Sequence, residues 1–223
     1  MTGRPIRSRR DPSSVALRRR FLVLLVVAVV GLGLAIMHAS STAWWWQSVS
    51  ALGIDPGADA WFNAAMVVLG VVFLWTSVPL RVLVRRAVRA GVLRPGWGRA
   101  YGAGLALIGP ALMLVGVFEI SSPGKSLIHD LAGFFVPLAV MGMMLTFRLA
   151  APVAGRGLAG AAFLLLAAIV GLFLLAVSET ISYALMEILA FLICGGWLYR
   201  VALRLEGTLD QPPTSPGTVL ASA

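Results

Sequence analysis

The chain has 223 residues, of which 59% are hydrophobic and only 12% are charged. Soluble domains carry about a quarter charged residues, so this composition excludes an ordinary soluble protein and indicates that a lipid bilayer is the solvent. The formal net charge of +9 then points to a membrane surface as the partner of the basic residues, and the single cysteine, Cys194, excludes an intramolecular disulfide and a cysteine-based metal site.

Six apolar runs have about the length of 20 residues that a membrane-spanning helix needs. They predict an all-α protein, a bundle of six transmembrane helices with short loops, over 19–39, 61–80, 101–118, 127–147, 157–178 and 181–203. The first run is too long for a signal-peptide core of about 7–15 residues and is predicted to stay as a helix. We predict a transmembrane domain over 19–204 between two disordered tails, a basic one at 1–18 and a Pro-, Thr- and Gly-rich one at 205–223.

The first loop, residues 40–60, contains no Lys or Arg but carries three consecutive tryptophans, Trp44, Trp45 and Trp46. Amphipathic indole rings suit the headgroup level of a membrane, so the run predicts an interfacial anchor. The alternative is a lid that closes over a site.

A basic segment with interleaved apolar residues covers 81–99. Pro79 just before it predicts the end of the second helix, or a kink in it. We expect the segment to lie on an anionic lipid surface, where each arginine contributes about 1 kcal/mol. Nucleic acid is the poorer partner for charges beside a bilayer. The arginines concerned are Arg81, Arg85, Arg86, Arg89, Arg94 and Arg99.

All basic residues except Lys125 fall on one side of the six predicted spans. The positive-inside rule therefore places both termini in the cytoplasm, in a bacterial inner membrane. Termini on the same side require an even number of spans, and the six predicted spans satisfy this.

The scarce polar residues collect on the opposite, extracytoplasmic side, around a polar hairpin at 119–130. Ionisable groups beside apolar helices are costly unless they are paired or used, so they predict a polar pocket. Glu179, Tyr183 and Glu187 are spaced i, i+4, i+8, which predicts one stripe on the last helix with Glu187 about 10 Å below its start. The candidate pocket consists of His38, Asn63, Glu119, His129, Asp130, Glu179, Tyr183 and Glu187.

Several functions fit these residue types. His38, His129 and Asp130 are weak candidates for a zinc site in a metal-dependent membrane hydrolase, since no HExxH spacing is present; no other cofactor is predicted. Carboxylates and histidines also build proton relays in proton-coupled transporters. A third possibility is a pocket for a lipid headgroup. Alternatively, the residues only join helix ends, with Lys125 paired to Glu119 or Asp130. We expect His129 and Glu187 to lie on faces that could meet.

The cytoplasmic halves of the six runs contain no acid and no histidine, which argues against a continuous transport path. The sequence therefore favours binding or handling of a lipid or envelope component over transport or catalysis. It indicates neither a protein partner nor an oligomeric state.

Short motifs in the chain resemble the DUF998 family of prokaryotic integral membrane proteins, in the Frag1/DRAM-like group. Their order and spacing match the family pattern, and the resemblance covers the chain from about the first helix to the sixth. The motifs are Ser50-Ala51-Leu52-Gly53, Trp61-Phe62-Asn63, Gly116-Val117-Phe118 and His129. The chain departs from the pattern at Ala51, where the family often has Asp, and at Glu119, where it often has Pro. The resemblance implies a six-helix bundle with these motifs at its outer mouth and, by analogy, a role with lipids.

Overall fold

A computed structural model describes residues 12–118, 123–151 and 156–210. These ranges contain seven α-helices, one short 3₁₀ helix and no strand. Six of the helices, all except α2, are long and apolar enough to cross a membrane, so the predicted all-α architecture of six spans is confirmed. The helices are α1 Pro12–His38, α2 Ala43–Gln47, the 3₁₀ helix Val49–Ile54, α3 Asp59–Arg89, α4 Pro95–Val117, α5 Pro123–Ala150, α6 Arg156–Val177 and α7 Tyr183–Leu209.

Helix α3 is the centre of the bundle, because α4 packs along one side of it, α1 along another, and α7 also contacts it. The α3–α4 contact depends on two glycines that face each other. A Cβ on Gly70 would lie 2.6 Å from the carbonyl oxygen of Gly109, and a Cβ on Gly109 would lie 2.8 Å from that of Gly70. Small residues at such a crossing let two helix backbones approach closely within a membrane. Helix α6 packs against α5 and α7 at the edge.

The two ends of the bundle differ in composition. The basic end is formed by residues 12–20, 81–99, 147–151 and 198–210, and carries most of the described arginines. The polar end is formed by residues 36–63, 114–118, 123–130 and 176–187, and carries both histidines. These two names are used below in this sense.

Helix α3 continues through Pro79 to Arg89, so the predicted helix end at Pro79 is wrong. A proline inside a helix removes the N–H that would bond the carbonyl four residues earlier, here Trp75. Arg20 of α1 supplies the missing donor, since its Nη1 lies 2.7 Å from the Trp75 carbonyl oxygen. The same guanidinium lies over the Trp75 indole, 4.4 Å from the ring centre. Pro79 is tolerated because a neighbouring helix satisfies the carbonyl that it frees.

The basic segment at 81–99 is consequently a helical hairpin. Residues 81–89 are the last turns of α3, and Pro95 opens α4. The turn between them contains Gly91, whose φ of 71° is accessible to glycine without strain. Helices α4 and α5 likewise continue through Pro110 and Pro137.

The helices also extend into segments predicted to be irregular. Helix α1 begins at Pro12 and α7 ends at Leu209, so helix replaces the disordered tails predicted for 12–18 and 205–209. The remaining parts of those tails, 1–11 and 211–223, lie outside the described residues. The first loop contains α2 and the 3₁₀ helix instead of being wholly irregular.

Candidate functional site

Asp55 holds together the segment between α1 and α3 at the polar end. Its Oδ1 accepts hydrogen bonds from the backbone N–H groups of Ser40 at 2.8 Å and Gly57 at 3.0 Å, and its Oδ2 accepts one from the Ser40 hydroxyl at 2.9 Å. The Ser40 backbone N–H is the largest of the effects that hold the pKa of Asp55 below its usual range, while burial acts in the opposite direction. We did not place Asp55 in the candidate pocket, and the structure gives it a role in the loop.

Glu187 of α7 reaches the same segment. Its Oε2 accepts a hydrogen bond from the backbone N–H of Val49 at 2.7 Å, at the first residue of the 3₁₀ helix. This N–H has no partner inside its own helix, as is general for helix N-termini. Glu187 therefore fastens the connection between α1 and α3 to α7.

The stripe predicted for the last helix is wrong in one member. Glu179 is exposed in the turn between α6 and α7, with a φ of 58°, and α7 begins only at Tyr183 after Ser182. The Ser182 hydroxyl caps the helix by accepting from the Leu185 N–H at 3.1 Å. Tyr183 and Glu187 still share a face at i, i+4, but Glu187 lies about 6 Å along α7, not about 10 Å.

His129 joins α5 to α4. Its ring is buried, and Nδ1 lies 2.9 Å from the carbonyl oxygen of Phe118, the C-cap residue that follows α4. A carbonyl oxygen can only accept, so Nδ1 carries the proton and donates it. Because Glu187 bonds Val49 instead, these contacts do not build the predicted shared network of His129 and Glu187.

The other candidates make local contacts. His38 is exposed, and its Nδ1 lies 2.8 Å from the carbonyl oxygen of Leu34 in the same helix. Its ring stacks on that of Trp61, with 4.8 Å between the ring centres. Asp130 is exposed and accepts a hydrogen bond from the Ser126 hydroxyl at 3.2 Å. Glu119 lies outside the described residues. The contacts of His38 and Asp130 are therefore separate from that of Glu187 with Val49.

The residues that carry the family resemblance contact one another at the polar end. Asn63 donates through Nδ2 to the Gly53 carbonyl oxygen at 3.3 Å, and its Oδ1 is buried without a partner. A Cβ on Gly53 would lie 3.0 Å from the Phe62 ring, and one on Gly116 would lie 2.5 Å from the Asn63 backbone oxygen. Because these two glycines have no side chain, α3, α4 and the 3₁₀ helix can approach one another closely there. Together with the bond between His129 and Phe118, these contacts give the motifs a packing role.

The tryptophan run is divided between the protein and its surroundings. Helix α2 packs against α7, with Trp44 buried and Trp46 62% exposed. Trp46 is therefore available to the membrane interface, as expected of an anchor, whereas Trp44 covers the polar end of α7.

No group of three or more His, Cys, Asp or Glu side chains within the described ranges is arranged to hold a metal ion. The candidate ligands His38, His129 and Asp130 make the separate contacts given above. The zinc site therefore stays a prediction without support from the described part of the chain.

A second group of predicted residues does share a space, at the basic end. A groove of about 760 Å³ runs between the last turns of α3 and the first turns of α4. Four of the six arginines predicted to contact lipid line this groove. Among the described residues that line it, none is acidic. The lining consists of Arg81, Val84, Arg85, Val88, Arg89, Pro95, Gly98, Arg99 and Gly102. We call it the arginine groove.

The arginine groove results from residue spacing on two helices. Arg81, Arg85 and Arg89 recur at i, i+4, i+8 and so occupy one stripe of α3. On α4, a Cβ on Gly98 would overlap Val88 Cγ2, whereas one on Gly102 would meet no atom within 4 Å. Gly98 therefore lets the helices approach, and Gly102 leaves the groove open.

Arg81 differs from the other arginines of the groove. Its Nε is buried and has no hydrogen-bond acceptor, while Arg85, Arg89 and Arg99 are exposed. A buried donor without an acceptor loses the full free energy of its hydration, so an acceptor is expected to complete the site. Of the remaining predicted arginines, Arg86 points elsewhere and Arg94 bonds the Ala150 carbonyl oxygen through its backbone N–H at 2.9 Å.

Comparisons with family models, with curated proteins and with solved structures give no match to this chain. The resemblance to the DUF998 family therefore stays a prediction, and the site is interpreted from its own chemistry.

Proposed function

We propose that this multi-pass membrane protein binds the phosphate-bearing headgroup of an anionic lipid in the arginine groove. The observation that carries the proposal is a groove lined by four arginines and no described acid, one of which has a buried Nε without an acceptor. A guanidinium group offers several N–H donors in a planar fork that matches the oxygens of a phosphate. Phosphate would supply the acceptor that the Nε of Arg81 lacks.

The depth of the groove favours a lipid over a soluble anion. Trp61 stands near the start of α3 and Arg81 follows it by 20 residues, or about 30 Å of helix, which is the thickness of the hydrocarbon core. With Trp61 at one interface, Arg81 reaches the level of the lipid phosphates at the other. Arg85 and Arg89 then lie among the headgroups.

The lipid role expected from the sequence is therefore kept, and its place is moved. Asp55, Glu187 and His129 of the polar end bond the backbone of other segments, whereas the buried Nε of Arg81 in the arginine groove has no acceptor. We propose no catalytic step.

We further propose that the basic end, and with it both termini, faces the cytoplasm of a bacterial inner membrane, following the positive-inside rule. The test uses single cysteines at the exposed positions Gln47 and Ala90 in a Cys194→Ala chain. An impermeant thiol reagent should label Gln47→Cys in intact cells and Ala90→Cys only after permeabilisation. Labelling of Ala90→Cys alone in intact cells would reverse the orientation.

Lipid binding is tested with the purified full chain by native mass spectrometry in the presence of phosphatidylglycerol. The double variant Arg81→Gln/Arg85→Gln should bind the lipid about 30-fold more weakly than the wild type, since two arginines near a membrane surface contribute about 2 kcal/mol. The matched control is Arg200→Gln/Arg204→Gln, which removes the same charge from exposed positions of α7 outside the groove. Equal losses in the two double variants would show that only the general charge matters and would overturn the proposed site.

A further inference from the structure

The arginine groove offers hydrogen-bond donors and no side-chain acceptor. Its polar side chains are those of Arg81, Arg85, Arg89 and Arg99, and a guanidinium group has N–H donors only. The other described side chains of the lining belong to valine, proline and glycine, which form no hydrogen bonds. A ligand of this groove is therefore bound through its acceptors, and a donor that it carries has no side-chain partner there.

The backbone adds little to this set. Along α3 and α4, a carbonyl oxygen accepts from the N–H group four residues later. Near the end of α3, the carbonyl oxygen of Val88, which belongs to the lining, accepts from the Gly91 N–H at 3.1 Å. Ammonium and hydroxyl groups of a lipid headgroup therefore lose hydration in the groove without gaining a matched acceptor.

The charge of the groove favours an anion with more than one negative charge. Four arginines line it, and no described acid offsets their charge. A phosphate monoester has a second pKa of about 6, so it carries about −1.5 to −2 charges near pH 7 and presents three strong acceptor oxygens. A phosphate diester carries a single charge and has fewer free oxygens. Nearby guanidinium groups also favour the deprotonated form of the monoester.

One phosphate is enough for the arginines of the groove. Arg85, Arg89 and Arg99 are exposed, and their long flexible side chains can reach a common anion from neighbouring turns. The buried Nε of Arg81 lacks an acceptor at the inner limit of the same groove. A compact group with many acceptor oxygens therefore suits the site better than a large headgroup with few.

From these observations, and resting on the proposed function, we infer that the arginine groove selects a lipid whose headgroup is a bare phosphate monoester. Such a headgroup offers acceptors and a second negative charge, and it adds no substituent that lacks a partner. Phosphatidic acid is the diacyl lipid with this chemistry. Phosphatidylglycerol and phosphatidylethanolamine are diesters, and their headgroups add hydroxyl or ammonium donors.

The experiment compares lipids with identical acyl chains, bound to the full chain in phosphatidylcholine nanodiscs and counted by native mass spectrometry. At about pH 8, the wild type should bind phosphatidic acid about fivefold more tightly than phosphatidylglycerol, the effect of one additional charge contact at a membrane surface. Phosphatidylmethanol is a diester without a headgroup donor, and it should also bind more weakly than phosphatidic acid. Equal binding of phosphatidic acid and phosphatidylmethanol would overturn the inference.

The preference should depend on pH. The monoester loses its second negative charge as the pH falls through about 6, so the preference should decrease to less than about twofold near pH 5. Both histidines of the chain lie at the polar end, so the basic end lacks the side chain that ordinarily titrates in this range. A fivefold preference that persists near pH 5 would contradict selection by the second charge.

The preference is a ratio of two affinities, which separates titration of the lipid from titration of the protein. Charged groups on the neighbouring helices act on both lipids in the same site. Those described at the basic end outside the groove are Arg18, Arg19 and Arg20 of α1, Arg86 of α3, Arg94 before α4, Arg148 of α5, and Arg200, Arg204, Glu206 and Asp210 of α7.

An acceptor introduced into the groove should remove the preference. A Cβ on Gly102 or on Gly207 would meet no atom within 4 Å, so an aspartate can be placed at either position. Gly102→Asp adds a carboxylate to the lining, which repels the monoester and can accept from a headgroup hydroxyl. Gly207→Asp, the matched control, adds the same charge to α7 outside the groove and should keep the preference. A fivefold preference retained in Gly102→Asp would overturn the inference.

The outcomes separate the inference from the proposed function. If Arg81→Gln/Arg85→Gln binds all anionic lipids more weakly but the wild type binds phosphatidic acid and phosphatidylglycerol equally, the lipid site stands and selection of a monoester is excluded. If that double variant binds both lipids as the wild type does, both proposals are overturned. Inorganic phosphate should compete only weakly with phosphatidic acid, and full competition by it would exclude a lipid as the ligand.

Discussion

The two ends of the bundle use their ionisable residues differently. At the polar end, Asp55, Glu187 and His129 each bond the backbone of another segment. At the basic end, four arginines line an open groove, and the buried Nε of Arg81 has no acceptor. An ionisable residue in a membrane protein is therefore weak evidence of function by itself. Whether the protein already supplies its partner is the more informative property.

The largest loss of stability is expected at Asp55, because one carboxylate accepts several hydrogen bonds. Asp55→Ala should release the segment between α1 and α3, which makes Trp44 more accessible to an aqueous quencher of tryptophan fluorescence. The control, Asp59→Ala, changes an acid that accepts a hydrogen bond from the backbone N–H of the next residue, Ala60. Equal quenching in both variants would contradict the role assigned to Asp55.

The same carboxylate predicts a dependence on pH. The pKa of Asp55 is lower in the folded protein than its ordinary value of about 3.9, so its contribution to stability is complete above that value. It is lost as the pH falls through the lower, folded pKa. Trp44 quenching in the wild type should therefore rise below about pH 4, and Asp55→Asn should lack this transition.

Glu187 and His129 come next in expected effect. Glu187→Ala and His129→Ala each leave a backbone group without its partner, which should reduce the free energy of unfolding by about 1–3 kcal/mol. Because the two residues bond different segments, the double variant should show the sum of the two losses to within about 0.5 kcal/mol. Denaturation of the detergent-solubilised chain measures all three values. If the double variant loses much less free energy of unfolding than this sum, the shared network predicted from the sequence would be supported instead.

Arg20 lies at the basic end but, like Asp55, Glu187 and His129, it bonds the backbone of another segment. Its replacement should reduce the free energy of unfolding by less than that of Glu187 or His129. Arg20→Ala removes the donor to the Trp75 carbonyl, which should destabilise the protein by about 1 kcal/mol. In a Pro79→Ala chain, the restored N–H at position 79 bonds that carbonyl itself, so the same change should matter less. Arg19→Ala, at an exposed neighbour, is the control. An equal loss with and without Pro79 would contradict the explanation of why the helix continues.

The smallest effect on stability is expected in the arginine groove. Arg85→Gln and Arg89→Gln should change the free energy of unfolding by less than about 0.5 kcal/mol, as is usual for surface positions. In the absence of anionic lipid, Arg89→Gln could even stabilise α3 slightly by relieving repulsion with Arg85. A loss of several kcal/mol would mean that these arginines have an internal partner, and the contrast between the two ends would fail.

The sequence predicted the six spans because a long apolar run requires only the hydrophobic effect to be recognised. It did not predict the continuation of α3, because the donor that makes Pro79 tolerable comes from Arg20, distant in the chain. The i, i+4, i+8 spacing of Arg81, Arg85 and Arg89 indicates a common face only if the segment is helical. A helix predicted to end at Pro79 therefore gives no such face. The spacing itself was present and could have indicated the groove.

At the polar end, by contrast, the sequence suggested a helix face that the structure does not contain. The same i, i+4, i+8 spacing placed Glu179 on a helix stripe, but its positive φ belongs to the turn before α7. Glutamate seldom adopts this conformation, so no local pattern revealed it. The partners of Glu187 and His129 are backbone groups, which leave no pattern in a sequence.

The bond between Arg20 and Trp75 also bears on how the chain enters the membrane during synthesis. A backbone carbonyl without a hydrogen-bond donor costs free energy in hydrocarbon, so the insertion of α3 alone is less favourable because of the Trp75 carbonyl. Helix α1 precedes α3 in the chain, so Arg20 is already synthesised when Trp75 leaves the ribosome. The first two spans are thus suited to insertion as a pair. The first span then serves as an intramolecular insertion aid for the second, which is a different role from that of a membrane anchor.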